Sequence, residues 1–234
     1  MDYFAGPVAE RYDATLSDRG DPVVVGATVD FLVELAREGA ALELGIGTGR
    51  IAVPLAAQGV RVHGIDLSPD MVAQLRAKPG GGEIPVTIGD FSSTRVGETF
   101  SLAYLVFNTI NNLTTQDAQV VCFESVASQL EPGGCFVIEV GVPSGEPLRV
   151  FALSETHVVV DEYDARTQRL VSHHFSLVDG LWERLSIPFR TVSPSELDLM
   201  ARLAGMRLRE RWSGWTREPF TAESRRHVSV WEKP

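Results

Sequence analysis

Three glycines at every second position, Gly45, Gly47 and Gly49, stand between an apolar run and an apolar helical pattern in "LELGIGTGRIAVPLA", which starts at Leu42. A chain that deletes three side chains here is either turning sharply from strand to helix or letting something approach its backbone. Three readings compete. The first is a tight strand-to-helix turn that needs glycine for its backbone angles alone. The second is a dinucleotide site, G-x-G-x-x-G, whose last glycine serves close helix–strand packing and whose helix N-terminus seats a pyrophosphate; Arg50 fills that last slot, so the pattern fails. The third is a nucleoside ligand without phosphate, whose amino-acid tail and ribose lie against the loop.

The residues that follow favour the third reading. Asp66, ending the second apolar run in "GIDLS", can accept both hydroxyls of a ribose, because an ionised carboxylate is an acceptor with two oxygens. Glu43 precedes the first glycine by two positions and suits a cationic ligand. Asp90 in "IGDF" can accept from an adenine amino group, with Phe91 and Met71 flanking the ring.

The wider pattern supplies the scaffold. Apolar runs beginning at Ala40, Val60, Val86, Thr99 and Cys135 alternate with helical patterns opened by Asp21, Ser68 and Thr114. Strand–helix alternation implies βαβ units and a Rossmann-like α/β fold: a doubly wound, mostly parallel sheet with helices on both faces. Ligands bind such sheets at the carboxyl ends of the strands. That edge would carry Gly45, Asp66, Asp90 and Asn108. After Val142 the rhythm breaks into strand–turn–strand–turn–strand, with turns near Asp164 and at "VDGL", so an antiparallel insert of about three strands is expected after the fifth strand. Ser193 and Glu196 then form a capping box for a last helix, and "MRLRERW" with "HVSVWEK" reads as a closing strand pair. One domain is expected: an N-terminal arm and helix forming a lid over 1–39, a cofactor-binding core over 40–142, the insert as substrate cap over 143–192, and the closing helix and strands over 193–234.

"LELGIGTGRIAVPLA", "VHGIDLSPDMVAQLR", "VTIGDF" and "LEPGGCFVIEV" resemble the successive motifs of class I S-adenosylmethionine-dependent methyltransferases, over roughly residues 40–142. The C-terminal half resembles, more loosely, small-molecule methyltransferases of bacterial secondary metabolism and antibiotic biosynthesis, including aminosugar N-methyltransferases. The resemblance implies S-adenosyl-L-methionine as cofactor, bound by Glu43, Gly45, Gly47, Gly49, Arg50, Asp66, Leu67, Met71, Asp90, Phe91 and Phe107. Arg50 has two readings, a reach to the cofactor's carboxylate or an anchor to a neighbouring acid.

Methyl transfer from a sulfonium is an in-line displacement, in which alignment is the main contribution an enzyme makes. "LVFNTINNL" ends the fourth strand near the methyl, so Asn108 is the candidate to orient cofactor or acceptor; Asn111 and Asn112 have two readings, the same orienting role or shaping the turn before Thr114, with the turn as the default. His173 and His174 lie on opposite faces of one strand, and one of them, with His173 taken as the candidate, can act as base if the insert covers the pocket. Tyr12, in the lid-like "FAGPVAERYDATLSDRGDP", is the candidate to close over the cofactor. Trp182, Trp212 and Trp215 can wall an aromatic pocket, with core packing as the default. A neutral amine needs no base, which favours nitrogen slightly over oxygen.

Charge and composition narrow the partners. With Lys+Arg 21 against Asp+Glu 31, the net charge of −10 repels phosphate backbones; "LVFNTINNL" also lacks the (D/N)-P-P-(Y/F) pattern of nucleic-acid amino-methyltransferases. A small-molecule acceptor and no nucleic acid are expected. No apolar run reaches a membrane span, and Cys122 and Cys135 read as buried free thiols of a cytoplasmic protein. No Cys/His spacing suits a metal, so none is expected; a homodimer is the expected oligomer. Two other functions stay open at this point: an NAD(P)-dependent oxidoreductase, and a non-catalytic binding protein on the same fold.

Overall fold

The computed structural model describes residues 2–15 and 20–234. Two sheets organise them. The larger has seven strands: β1 (Ala40–Leu44), β2 (Arg61–Asp66), β3 (Val86–Ile88), β4 (Phe100–Leu105), β5 (Leu130–Gly141), β10 (Arg207–Trp212) and β11 (Arg226–Glu232), in spatial order β10-β11-β5-β4-β1-β2-β3. Strands β1 to β5 are mutually parallel, whereas β11 runs antiparallel to β5 and to β10. The order reverses at β1/β4, the switch point where a ligand crevice opens.

Helices cover both faces, as the alternation requires. Helix α2 (Pro22–Ala36), α3 (Ala52–Ala57) and Leu75 of α4 (Pro69–Ala77) pack one core around Phe31, Leu32, Ile51, Leu55 and Tyr104. Helix α5 (Gln116–Gln129) and α6 (Pro194–Leu203) pack the other around Leu42, Phe123, Phe136 and Trp231. Burial of such side chains, each contributing roughly 1.5–3 kcal/mol, is the main stabilising force. The caps read from sequence are present. Asp21 Oδ1 accepts from Val23 N at 2.8 Å, Ser68 Oγ accepts from Met71 N, and Ser193 and Glu196 close a capping box.

Several boundaries differ from expectation. The cap of α5 is Thr115, not Thr114, and the chain passes from α5 directly into β5 at Leu130, ahead of the expected strand start at Cys135. Helix α2 stops at Ala36, and Gly39 beyond it is needed for close approach, since a Cβ there would lie 2.2 Å from Ser101 Oγ.

The insert holds four strands rather than three: β6 (Leu148–Leu153), β7 (His157–Asp164), β8 (Arg169–Val178) and β9 (Leu181–Arg190), antiparallel in that order. The two expected turns are there, at 165–168 and at Asp179-Gly180, where φ is 50° and 80°, the pair of positive angles that a two-residue hairpin uses. Strand β6, "LRVFAL", escaped the reading because it is short, preceded by the turn-rich "PSGEP" and carries an arginine among its apolar residues. The sheet is fixed to the core by Arg190. Its guanidinium, nearly buried, bonds Gln119 of α5, Gln168 (2.6 Å) and Glu196 of α6 (2.9 Å). No helix among the described residues is long and apolar enough to cross a membrane.

Candidate active site

The glycine loop leaves β1 and folds back against β2: Gly45 N and Ile46 N both donate to Ile65 O, at 2.8 and 3.1 Å. All three glycines have φ between 55° and 73°, the left-handed region that a Cβ disfavours. Space is short as well. A Cβ on Gly45 would sit 2.7 Å from Thr109 Cγ2, and one on Gly49 would sit 2.1 Å from Leu75 Cδ1. Gly49 therefore provides the close helix approach that a dinucleotide fingerprint assigns to its last glycine, which leaves position 50 free for arginine.

Asp66 closes the loop from the end of β2. One oxygen accepts from Gly47 N at 2.6 Å and the other from Ser68 N at 2.8 Å. Two carboxylate oxygens have about four acceptor positions, so capacity remains for a ligand's hydroxyls. Burial raises the pKa of Asp66 above the usual range, and the two backbone N–H groups oppose that rise. Around it, Leu67 is half exposed at the strand edge, while Met71 and Phe91 are buried beside Gly47 and Gly45. The expected adenine-side cluster thus comes together, with one displacement. Strand β3 ends at Ile88, so Asp90 lies two residues beyond it, exposed, with Oδ1 accepting from Ser92 N at 2.8 Å.

Glu43 is placed differently from expectation. It is 2% exposed, beneath the loop rather than on the crevice surface, and Tyr104 Oη donates to it at 2.9 Å. Burial pushes its pKa up to about 8, against the opposing pull of Tyr104 and the Arg50 charge. The Arg50 guanidinium stacks on Phe107, 3.2 Å from the ring centroid, a cation–π geometry. Both readings of Arg50 thus gain a third element, an aromatic platform.

Phe107 and Asn108 follow β4 with φ of 58° and 60°. Two successive non-glycine residues in that region are strained and persist only where the surroundings fix them. The fixing groups are visible. Glu139 Oε2 accepts from Phe107 N at 3.1 Å, Glu139 O accepts from Asn108 N at 3.2 Å, and Asn108 Oδ1 accepts from Gly141 N at 2.7 Å. The Asn108 carbonyl is thereby committed to the backbone of β5, which makes it a positioning group for this turn.

A cleft of about 510 Å³ opens beyond this turn, between the β4/β5 edge and the insert. Asn108, Asn111 and Glu139 line its floor, and Phe151, Asp161 and Tyr163 its roof. Asn111 Oδ1 is buried there without a hydrogen-bond partner among the described residues. Sequence reasoning gave Asn111 to the turn and passed over Glu139. The available signal for Glu139 was an acid inside the apolar strand "CFVIEVG", the same signature that drew notice to Glu43 in "ALELG".

His173 is a correction. Strand pairing places Asp161, Leu170 and His174 on the cleft face of the insert. His173 is one residue out of phase, on the opposite face, held by Ser186 Oγ at 2.8 Å and Glu162 Oε2 at 3.5 Å. Its neighbour His174 stacks on His157 with centroids 5.6 Å apart, and burial first, then His157, lowers its pKa. None of the three tryptophans named above lines the cleft: Trp215 packs on Phe31, and Trp182 is 54% exposed on the insert.

The N-terminal segment crosses the cofactor end of the crevice. Helix α1 (Pro7–Arg11) packs on α4, Gly6 N donates to Asp70 Oδ2 at 2.7 Å, and Thr48 Oγ1 donates to Asp13 Oδ1 at 2.6 Å. Tyr12, at the end of α1, meets Phe4 edge-on. Residues 16–19 of the expected lid lie outside the described residues.

Comparison with known proteins decides the family. Residues 41–134 match the methyltransferase domain family. The whole chain superimposes on the CcbJ methyltransferase from Streptomyces caelestis with a TM-score of 0.89 and 34% identity, covering 100% of this chain and 99% of that one. The chain belongs to the S-adenosylmethionine-dependent methyltransferases. Among its relatives are the cypemycin N-terminal methyltransferase of a Streptomyces species, 27% identical over 203 residues and covering 82% of each chain. Another is the dTDP-3-amino-3,4,6-trideoxy-alpha-D-glucopyranose N,N-dimethyltransferase of Streptomyces venezuelae, 27% identical over 191 residues, 80% of this chain and 77% of that one. For this methyltransferase the oxidoreductase alternative is not favoured.

Proposed function

We propose that this methyltransferase transfers a methyl group from S-adenosylmethionine to an amine nitrogen of a small molecule held in the cleft under the insert. The carrying observation is the continuity of two sites across one strained turn. The Gly45–Gly49 loop and Asp66 lie on one side of Phe107-Asn108, and the 510 Å³ cleft on the other.

The residues present fit the cofactor. The loop offers bare backbone where Cβ atoms have no room, and Asp66 offers spare acceptor capacity for ribose hydroxyls. Leu67, Met71, Phe91 and Asp90 would surround adenine. Arg50 would face the carboxylate of the methionine part, Glu43 would support the loop from beneath, and Tyr12 would close over it. When bound, the cofactor supplies a methyl group on a positively charged sulfur.

The protein's own contribution is alignment and charge. Glu139 holds the Phe107–Asn108 turn rigid at the junction and, with Asp161, gives the cleft carboxylates suited to an amino group. Asn111 Oδ1, without a hydrogen-bond partner among the described residues, is placed to accept from the acceptor's N–H or O–H. Positioning of this kind is worth several kcal/mol of barrier. An amine that has shed its proton attacks without a base, and of the three relatives named above one is an N-terminal methyltransferase and one an aminosugar N,N-dimethyltransferase. The net charge of −10 supports a small molecule over nucleic acid, and the two buried free thiols support a cytoplasmic setting.

The test is a transfer assay with labelled S-adenosylmethionine against aminosugar nucleotides, free aminosugars and peptide N-termini, each paired with its hydroxyl analogue. Label in amines and not in their hydroxyl partners is expected, with turnover reduced in Glu139→Gln. Label only in hydroxyl analogues would refute the amine assignment.

A further inference from the structure

Six charged residues line the cleft: the acids Glu139, Glu146 and Asp161, and the arginines Arg149, Arg225 and Arg226. The cleft is therefore neutral in a chain that carries −10. Transfer to an amine employs the acids and leaves the arginines without a task. Glu139 marks the inner end, where its Oε2 accepts from Phe107 N at 3.1 Å. Two arginines mark the other end. Arg226 pairs with Gly141, two residues beyond Glu139 on β5, and Arg225 O accepts from Val142 N at 2.8 Å. Arg149 stands on β6, in the roof. All three are exposed, and none makes an ion pair among the described residues. Asp161 is the cross-strand partner of Arg149, and Glu218 feels the charge of Arg226, yet neither closes on its guanidinium. A single solvated guanidinium is ordinary. Three around one cleft of an acidic protein make a place for negative charge.

We infer that the methyl acceptor carries an anionic group, a phosphate or a carboxylate, held by Arg225 and Arg226 with Arg149 opposite, while its amine lies against Glu139. The inference rests on the amine reading above and narrows it to amines that are also anions. Arginine suits the task, because its planar fork of N–H donors matches two oxygens of either group. The cleft contains no lysine. Strand geometry sets the spacing. Two to three residues at about 3.3 Å put the arginine positions roughly 7–10 Å beyond Glu139. The carboxylate of an α-amino acid lies too near its own amine for that span, whereas a group across a sugar ring or at the end of a six-carbon chain covers it. Asn111 Oδ1, buried in the same cleft without a hydrogen-bond partner among the described residues, adds an acceptor for a donor on this polar ligand. The rest of the surface repels an anion, so the arginines both admit the acceptor and set which end of it meets the methyl group.

Calorimetric titration of the protein saturated with S-adenosylhomocysteine tests this without turnover. Two matched pairs serve as probes: glucosamine 6-phosphate against glucosamine, and 6-aminohexanoate against 6-aminohexanol. In at least one pair the anionic member should bind at least about tenfold more tightly. A preference confined to one pair names phosphate or carboxylate as the source of the charge. The preference should fall below about threefold in Arg225→Gln/Arg226→Gln and persist in Arg202→Gln, exposed on α6 outside the cleft. Equal affinities, tighter binding of the neutral members, no binding by any of the four, or a preference that survives in the double variant would overturn the inference. If the double variant does not fold, salt decides on the wild type: from about 50 to about 500 mM NaCl the anionic member should lose most of its advantage and the neutral member should not change. An advantage indifferent to salt would overturn the inference. Labelled methyl transfer to the same four compounds keeps the two readings apart. Equal transfer to charged and neutral amines would leave the amine acceptor standing and sink the anion site. Tighter binding of anions with label in no amine would do the reverse.

Discussion

Replacing Glu43 by Gln should stabilise the protein at neutral pH and weaken cofactor binding. The carboxyl is buried beneath the glycine loop with its pKa pushed from 4.5 to about 8, chiefly by burial. Because the folded pKa lies above the unfolded one, the native state binds more protons between those values, and stability falls as pH rises through that window. At pH 7 the penalty is roughly 2.5 pKa units at about 1.36 kcal/mol each, or about 3 kcal/mol. Glutamine keeps the acceptor for Tyr104 Oη but turns an amide donor toward the Ala52 N–H that now faces a carboxylate oxygen, a loss of about 1 kcal/mol. The net gain is about 2 kcal/mol at pH 7, or roughly 4–8 °C in Tm for a chain of this size. At pH 5 the penalty falls to about 1 kcal/mol, which the amide loss offsets, so the variant should be about as stable as wild type. Urea titrations at both pH values, with calorimetric titration of S-adenosylmethionine, read the effect. A variant equally destabilised at both pH values would refute the placement of a raised carboxyl under the loop.

Other substitutions separate structure from chemistry. His173→Ala should leave methyl transfer kcat within about twofold of wild type, since the imidazole faces away from the cleft; a loss of two orders of magnitude would restore it as a base, whose typical contribution is about 10²–10⁴. Arg190→Ala should cost about 3 kcal/mol in chemical denaturation, because it strands Gln119 and Glu196 between insert and core. Gly45→Ala should destabilise by about 2 kcal/mol or more, from its left-handed φ and the contact with Thr109, and a variant as stable as wild type would show that the loop tolerates a side chain.

The core half of the fold was legible because its signals are local and redundant. Each parallel strand is a short apolar run, and Asp21, Ser68 and Ser193 cap their helices within three residues in sequence. The cofactor-side residues were legible for the same reason: each ends or follows a strand. The insert was less legible. Strand β6 hides behind a turn-rich stretch, and its existence depends on pairing with β7. His173 was misassigned because alternation says which residues share a face but not which face meets the core. That choice is made by packing against the Thr109–Asn112 turn and by the Arg190 network. Glu139 was missed because its role arises from β4 and β5 lying side by side, thirty residues apart in sequence.

Thermal unfolding with S-adenosylmethionine, on wild type and Asp66→Asn, is the most direct measurement of whether the loop and Asp66 hold the cofactor. At about 100 times Kd the ligand should stabilise the wild type by roughly 2.7 kcal/mol, a rise of about 5–10 °C. In a folded Asp66→Asn variant most of that rise should be lost. No rise in the wild type, or an equal rise in both proteins, would contradict the assignment of this site.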